Sequence, residues 1–294
     1  MNKYYHVTKV IVNHPLNKGR KIDALKRMIK WQFATRLLSF PVVMPFIEDA
    51  KLIVKRGMTG GIGNIYYGLD EFEDMAFLLH LLREEDFFAD IGANIGSYSI
   101  LASKCSKANS IAFEPVPATF ERLKSNIKVN NLEDNVQIMN IGIGSKSDSL
   151  FFTQDKDSTN HVVVNDNTSN AVKVDVKRLD SVLDNCPTLM KIDVEGFESE
   201  VLNGASAILE DDKLKAIIIE LNGSGQKFGF DDGDIIRKLR DLGFQSYDYS
   251  PYDRKLKVLE KINPTKNTIF VRDLNFVETR LTEARTFQVL DKKI

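Results

Sequence analysis

Cysteine, tryptophan and histidine are scarce in this chain, and long apolar runs are missing. Two cysteines, Cys105 and Cys186, and one tryptophan occur among 294 residues. The thiols stand far apart with no metal-ligand spacing, so a reducing compartment is expected. No apolar stretch approaches the roughly 20 residues that a membrane span needs. The first residues lack the apolar core of a secretory signal, and a cytoplasmic location is expected. No repeat or long low-complexity tract is present. With 43% hydrophobic and 28% charged residues, the chain reads as globular and long enough to bury a large core.

An overall excess of one charge is also lacking, since the net charge is −1. Along the chain the balance is uneven. Residues 1–58 carry 12 Lys or Arg against 3 Asp or Glu, and the remainder carries 28 against 38. Such an acidic body is a poor nucleic-acid binder, because that affinity rests on neutralising phosphates. In the basic segment, Ile22, Leu25, Ile29, Phe33, Leu37 and Phe40 recur every three or four residues. Lys21, Lys26, Arg27, Lys30 and Arg36 surround them. The spacing predicts a basic amphipathic helix that ends before Pro41 and Pro45. Its apolar face has two readings. It packs on the acidic body or in a homodimer interface, or residues 20–40 meet a membrane surface or an acidic partner.

The most informative stretch is Phe87-Phe88-Ala89-Asp90-Ile91-Gly92-Ala93-Asn94-Ile95-Gly96-Ser97-Tyr98. Apolar residues run into an acid, two glycines follow four apart, and a helical pattern begins at once. This is a buried parallel strand, a tight turn and a helix start, the nucleotide-binding corner of a doubly wound α/β sheet. Gly92 and Gly96 let the backbone come close to a ligand. A second apolar strand, Ile111-Ala112-Phe113, ends in Glu114 and Pro115, 18 residues beyond Gly96. An acid at that distance accepts hydrogen bonds from ribose hydroxyls. Asn94 stands where a dinucleotide loop has its middle glycine, and its side chain would crowd a diphosphate. The spacing therefore favours S-adenosylmethionine over NAD. Asp90 is the acid for the donor's ammonium. The loop from Gly92 through Ala93, Asn94 and Gly96 to Ser97 and Tyr98 offers N–H groups to its carboxylate.

Strands are expected at 87–91, 110–114, 136–141, 189–193, 216–221, 244–249 and 267–272, with helices between them. A glycine-rich stretch, Gly57 to Gly68, reads as a flap or linker ahead of a helix over 71–83. Segments 149–154 and 171–176 alternate as a β-hairpin arm inserted after the third strand. Its polar middle holds His161, and the arm is the expected substrate rim.

Three motifs give the chain a family resemblance. Lys191-Ile192-Asp193-Val194-Glu195-Gly196-Phe197-Glu198 is followed by Val201-Leu202-Asn203-Gly204-Ala205. Together with Asp90-Ile91-Gly92-Ala93-Asn94 and Phe113-Glu114-Pro115, these segments resemble the FkbM family of S-adenosylmethionine-dependent methyltransferases over roughly residues 60–275. The resemblance implies a doubly wound, seven-stranded Rossmann-like methyltransferase sheet whose last strand inserts antiparallel. It also implies methylation of sugar or natural-product hydroxyls, so a small-molecule or glycan acceptor is expected. The expected organisation is a basic helical extension over 1–58, a glycine-rich connection and leading helix over 59–86, and a methyltransferase domain over 87–294 with its insertion at about 149–176.

An unactivated alcohol needs a general base, worth about 10²- to 10⁴-fold. Asp193 ends the fourth strand, Glu195 lies on the following turn, and His161 could descend from the arm with a suitable intrinsic pKa. Asp193 also stands where it could help hold the donor. A divalent ion shared by Asp193, Glu195 and Glu220 is compatible with the sequence but not demanded by it. Two other functions stay open at this stage. One is a nicotinamide-dependent oxidoreductase, against which the Gly-x-x-x-Gly spacing argues. The other is a non-catalytic nucleoside-binding protein, against which the intact acids argue.

Overall fold

The computed structural model describes residues 3–38, 40–153, 160–163 and 171–294. Helices α1 (Lys3–Asn13) and α2 (Lys21–Leu37) precede a hairpin of β1 (Val42–Pro45) and β2 (Lys51–Val54). Helices α3 (Thr59–Tyr67) and α4 (Phe72–Leu81) lead into β3 (Phe87–Ile91). Next come α5 (Ser97–Ile100), continued by a π turn over Leu101–Cys105, then β4 (Asn109–Phe113), α6 (Pro117–Val129) and β5 (Val136–Met139). A small sheet of β6 (Gly142–Ile143), β7 (Asp148–Thr153) and β8 (Ala171–Lys177) interrupts the alternation. The chain resumes with β9 (Leu189–Ile192), α7 (Glu198–Asn203), α8 (Ser206–Glu210), β10 (Ala216–Glu220) and α9 (Asp232–Asp241). It closes with β11 (Gln245–Ser250), β12 (Lys255–Val258), β13 (Asn267–Val271), α10 (Leu274–Glu283), β14 (Gln288–Val289) and β15 (Lys292–Lys293).

The main sheet runs β12-β11-β13-β10-β9-β3-β4-β5. Strands β5, β4, β3, β9 and β10 are parallel, and β13 inserts antiparallel between β10 and β11. The seven expected strands are present, and β12 adds an eighth at the edge, antiparallel to β11. The central strands are continuous apolar runs because helices cover both faces; Ala89, Met190 and Ile217 are fully buried. Strand order reverses at β3, whose neighbours are β4 and β9, so the crevice opens where these three strands end.

Residues before β3 are built into this body. Ile11, Trp31, Phe46 and Leu52 join one buried cluster with Phe88, Leu101 and Val271. The β1–β2 hairpin is stitched to α6 by two buried asparagines. Asn126 Oδ1 accepts from the Ile53 N–H at 2.6 Å, and Asn126 Nδ2 donates to the Ile95 carbonyl at 2.9 Å. Asn130 exchanges two bonds with the Lys51 backbone, each 2.8 Å. The expected flap or linker over Gly57 to Gly68 is mostly helix α3. Its glycines are packing devices: a Cβ at Gly61 would come within 2.8 Å of both Val54 and Ile95. Close packing overrides the poor helix propensity of glycine.

Helix α2 forms as its periodicity predicts, but it faces the other way from a helix that buries its apolar stripe. Ala24, Trp31 and Thr35 point inward. Arg27 bonds Asn17 Oδ1 at 2.5 Å and the Tyr66 carbonyl at 3.1 Å. Ile22, Ile29, Phe33 and Leu37 are 61–70% exposed. The reading in which this stripe packs on the chain's own acidic body is therefore corrected.

Asn126 serves two buried backbone groups at once. Asn126→Ala leaves the Ile53 N–H and the Ile95 carbonyl unpaired, each costing about 1–3 kcal/mol. Urea denaturation should show a loss of roughly 2–4 kcal/mol. An unchanged midpoint would mean that the hairpin is held by other contacts.

Candidate active site

The turn after β3 is fixed by the strands beside it. The Gly92 and Ala93 N–H groups both donate to the Phe113 carbonyl, at 3.0 and 2.9 Å. Gly92 has φ +83°, and a Cβ there would lie 1.8 Å from the Asp193 carbonyl oxygen. Gly96 has φ +87°, and its Cβ would lie 2.5 Å from Leu123 of α6. The space that Gly96 keeps free is therefore for helix packing, which corrects the expectation that a ligand alone requires it. Asn94 sits in the left-handed region at φ +52°. Its N–H donates to Glu114 Oε2 at 3.0 Å, while Glu114 Oε1 accepts from the Val116 N–H at 2.9 Å. Glu114 thus clamps the loop and its own turn. Asp90 Oδ2 accepts from the Ser99 N–H and hydroxyl, at 3.2 and 2.6 Å. Ser97 Oγ accepts from Asn64 of α3 at 3.2 Å.

A cavity of about 400 Å³ opens at the ends of β3, β4 and β9. Asp90, Gly92, Ala93, Asn94, Ser97, Tyr98, Glu114, Pro115, Asp193 and Glu195 all line it, as the sequence expects of them. Gly96 lies behind the wall. Phe152 and Asn160 line the cavity from the arm. His161 instead turns its backbone to Thr153, which it meets through two hydrogen bonds of 3.0 and 3.1 Å. Most of the arm's polar middle, at 154–159 and 164–170, lies outside the described residues.

The lining is strongly acidic. Asp70, Glu71, Asp90, Glu114, Asp193, Glu195 and Glu220 face one cation among the described residues, Lys191. Lys191 is 3% exposed, donates to Asp193 Oδ2 at 2.6 Å and lies 4.7 Å from the centre of the Tyr98 ring. A lysine inside the apolar run Leu189-Met190-Lys191-Ile192 was the signal for it: a buried ammonium needs an anion. Burial outweighed by the carboxylates around it, Asp193 first, drives its pKa upward. The acids are pushed up as well. Burial raises Asp90 to about 6, Glu195 and Glu198 to about 7, and Glu114 to about 8. Burial and the neighbouring Asp193 and Glu195 raise Glu220 to about 8.

Beyond β9 the chain makes a strained turn, with Glu195 at φ +55°. Glu198 holds that turn, accepting from the Val194 and Gly196 N–H groups at 3.2 and 3.1 Å. Glu198 is therefore a structural clamp. Asp193, Glu195 and Glu220 each offer a carboxylate oxygen within 4.8 Å of the others, the one such grouping among the described residues that could hold a metal ion. The wall made by α3 and the turn after it, with Gly60, Asn64, Asp70 and Glu71, was not anticipated from the sequence. The close spacing of Gly60, Gly61 and Gly63 is the signal that could have found it, because such a run lets a helix lie tightly on a loop.

The parallel sheet with one inserted antiparallel strand, and a glycine corner facing an acidic crevice, define an α/β methyltransferase. Residues 90–246, more than half of the chain, match the Methyltransferase FkbM domain. The chain belongs to that family and is an S-adenosylmethionine-dependent methyltransferase. It is 29% identical over 217 residues to Methyltransferase 1 of Beauveria bassiana, covering 64% of this chain and 85% of that protein. It is 30% identical over 175 residues to the hexuronic acid methyltransferase AglP of Haloferax volcanii, covering 58% of this chain and 67% of that protein. The solved structure of methyltransferase FkbM from Methylobacillus flagellatus KT overlays with TM-score 0.46 and 16% identity, over 85% of this chain and 60% of that one. No helix among the described residues is long and apolar enough to cross a membrane.

The raised acids make stability depend on pH. Glu114 and Glu220, at about 8 in the folded chain against 4.5 ordinarily, keep their protons after the unfolded chain has lost them. Their contribution is complete below the ordinary value and is lost as pH rises through 8. The lowered values of His14 and His80 oppose this loss, but only below their ordinary value of 6.5. Ligand-free protein should lose unfolding free energy as pH rises from about 6.5 to about 8 and level off above that. A flat profile in urea denaturation would show that these acids are already ionised at neutral pH.

Proposed function

We propose that the chain is an O-methyltransferase acting on a hydroxyl of a sugar, glycan or glycosylated natural product. The observation that carries this is the cavity's charge: seven carboxylates and one lysine line the crevice at the glycine corner. S-adenosylmethionine bears a sulfonium, an ammonium and one carboxylate, so it enters as a net cation. A nicotinamide dinucleotide would set its diphosphate against those seven acids. The charge therefore supports the methyl donor and speaks against the oxidoreductase reading. When bound, the donor supplies a methyl group already activated on sulfur for in-line displacement.

Glu114 would hold the ribose; one lone pair of each of its oxygens already accepts from the Asn94 and Val116 N–H groups. Asp90 and the loop from Gly92 to Tyr98 would hold the amino-acid tail. Lys191 orients Asp193 through their ion pair. An anchored carboxylate of this kind would position an acceptor hydroxyl. Glu195 and Glu220, at about 7 and 8, are better matched to take the hydroxyl proton near neutral pH. Phe152 and Asn160 cover the cavity from the arm and would meet the acceptor. The hexuronic acid activity named for the Haloferax volcanii relative supports a sugar acceptor.

Glu114→Gln keeps the volume and prevents the carboxyl from ionising when the donor binds. Its donor affinity in isothermal titration should fall about 10- to 100-fold, the size of a lost charge-assisted bond. Unchanged affinity in the folded variant would remove Glu114 from the donor site.

Turnover should rise with pH through an apparent value between 7 and 8, since a protonated carboxyl cannot accept the hydroxyl proton. Of Glu195→Gln and Glu220→Gln, the variant lacking the base should lose that limb and at least about 10²-fold in kcat, with donor affinity little changed. If both variants keep the wild-type profile with a glycan acceptor, the base lies elsewhere, and Asp193 and His161 are next.

A further inference from the structure

Helix α2 is seated on the body by its less apolar side. Trp31 is the one large ring it buries, with Ala24 and Thr35 above and below. At about 100° per residue, Ile22, Ile29, Phe33 and Leu37 fall within an arc of about 80° on the opposite side. They are 70, 61, 65 and 69% exposed, and Phe40 follows beyond the helix end at 60%. Exposed cations Arg36 and Lys30 border this stripe, Lys26 projects within it, and Lys21 lies further round the helix. Asp23 is the only acid of the helix and lies 3.9 Å from Lys26, while Arg20 beside it pairs with Asp291 at 2.8 Å.

We propose that this face of α2 docks on an anionic lipid surface. An apolar stripe edged by cations is the pattern of a helix lying in the headgroup boundary, apolar side chains inserted and ammonium groups at the phosphates. Charge decides against the obvious competitor. Residues 1–58 carry 12 basic and 3 acidic residues, so two copies meeting through α2 would bring like charges together. The attachment is reversible and salt-sensitive, because it combines a single helix face with screened charges. It also has a geometric consequence. Arg27 and Gln32 of α2 hold Tyr66 of α3, and α3 walls the cavity, so the lipid surface lies one helix away from the methyl-transfer site.

The test is sedimentation of the full chain with vesicles of phosphatidylcholine alone, or with about one third phosphatidylglycerol. The protein should pellet with the anionic vesicles at low salt and be released at high salt. Replacing two exposed side chains, Phe33→Ser with Leu37→Ser, should weaken vesicle binding at least about tenfold. Circular dichroism and donor binding should not change, since neither side chain packs on the body. Failure to bind anionic vesicles at low salt would overturn the proposal. So would equal binding by the double variant. A solution dimer that the same substitutions dissolve would assign the face to a second copy and overturn it too.

Discussion

A single buried ammonium holds the crevice together. Lys191 rises from the middle of β9 into a space lined by seven carboxylates, and it is paired directly with Asp193 at 2.6 Å. Without it, the strand tips would carry only mutual repulsion, partly relieved by keeping acids protonated. Burial first, and repulsion from neighbouring acids such as Asp193 second, raise Glu114, Glu195 and Glu220. The crevice is left short of positive charge, and under the proposed function a cationic donor would supply what is missing. The same imbalance would favour such a donor over an anionic one.

The backbone makes a second commitment. Gly92 approaches the Asp193 carbonyl so closely that no side chain fits between them. The donor turn after β3 and the acid at the end of β9 are consequently one rigid unit. Glu114 ties the same turn to β4, and Asn126 ties the next residues to α6 and β2. Three neighbouring elements converge on fewer than ten residues, which explains how a loop without regular structure is held in place.

Much of this was legible in the sequence. The strands β3, β4, β9 and β10 are short apolar runs ending at acids or turn residues, and both signals are local. The roles of Asp90, Gly92, Glu114 and Asp193 as crevice residues follow from position at strand ends. What was not legible depends on contacts between distant segments. Gly60, Gly61 and Gly63 look like a linker because helix propensity is a local quantity, whereas their close fit to Val54, Ile95 and Asp70 is not. Periodicity showed which residues of α2 share a face, yet it holds no information about which face meets the body. The role of Gly96 was read as ligand clearance because Leu123, 27 residues later, is invisible to a turn motif. The clamp made by Glu198 resembles any helix-start acid until its partners Val194 and Gly196 are seen.

The arm built from β6, β7 and β8 is a separate sheet, joined to the main body near Gly144, Arg178 and Gly204. It adds Gly142, Ile143, Phe152 and Asn160 to the crevice and none of the groups that clamp the glycine corner. Under the proposed function, donor and acceptor recognition would reside in parts with different structural obligations. Changes to the tip of the arm leave the glycine corner, the buried lysine and the sheet untouched. A lineage with this plan can diversify what it methylates while keeping the means of methylation, and an engineer could exchange the arm as a cassette to redirect the enzyme.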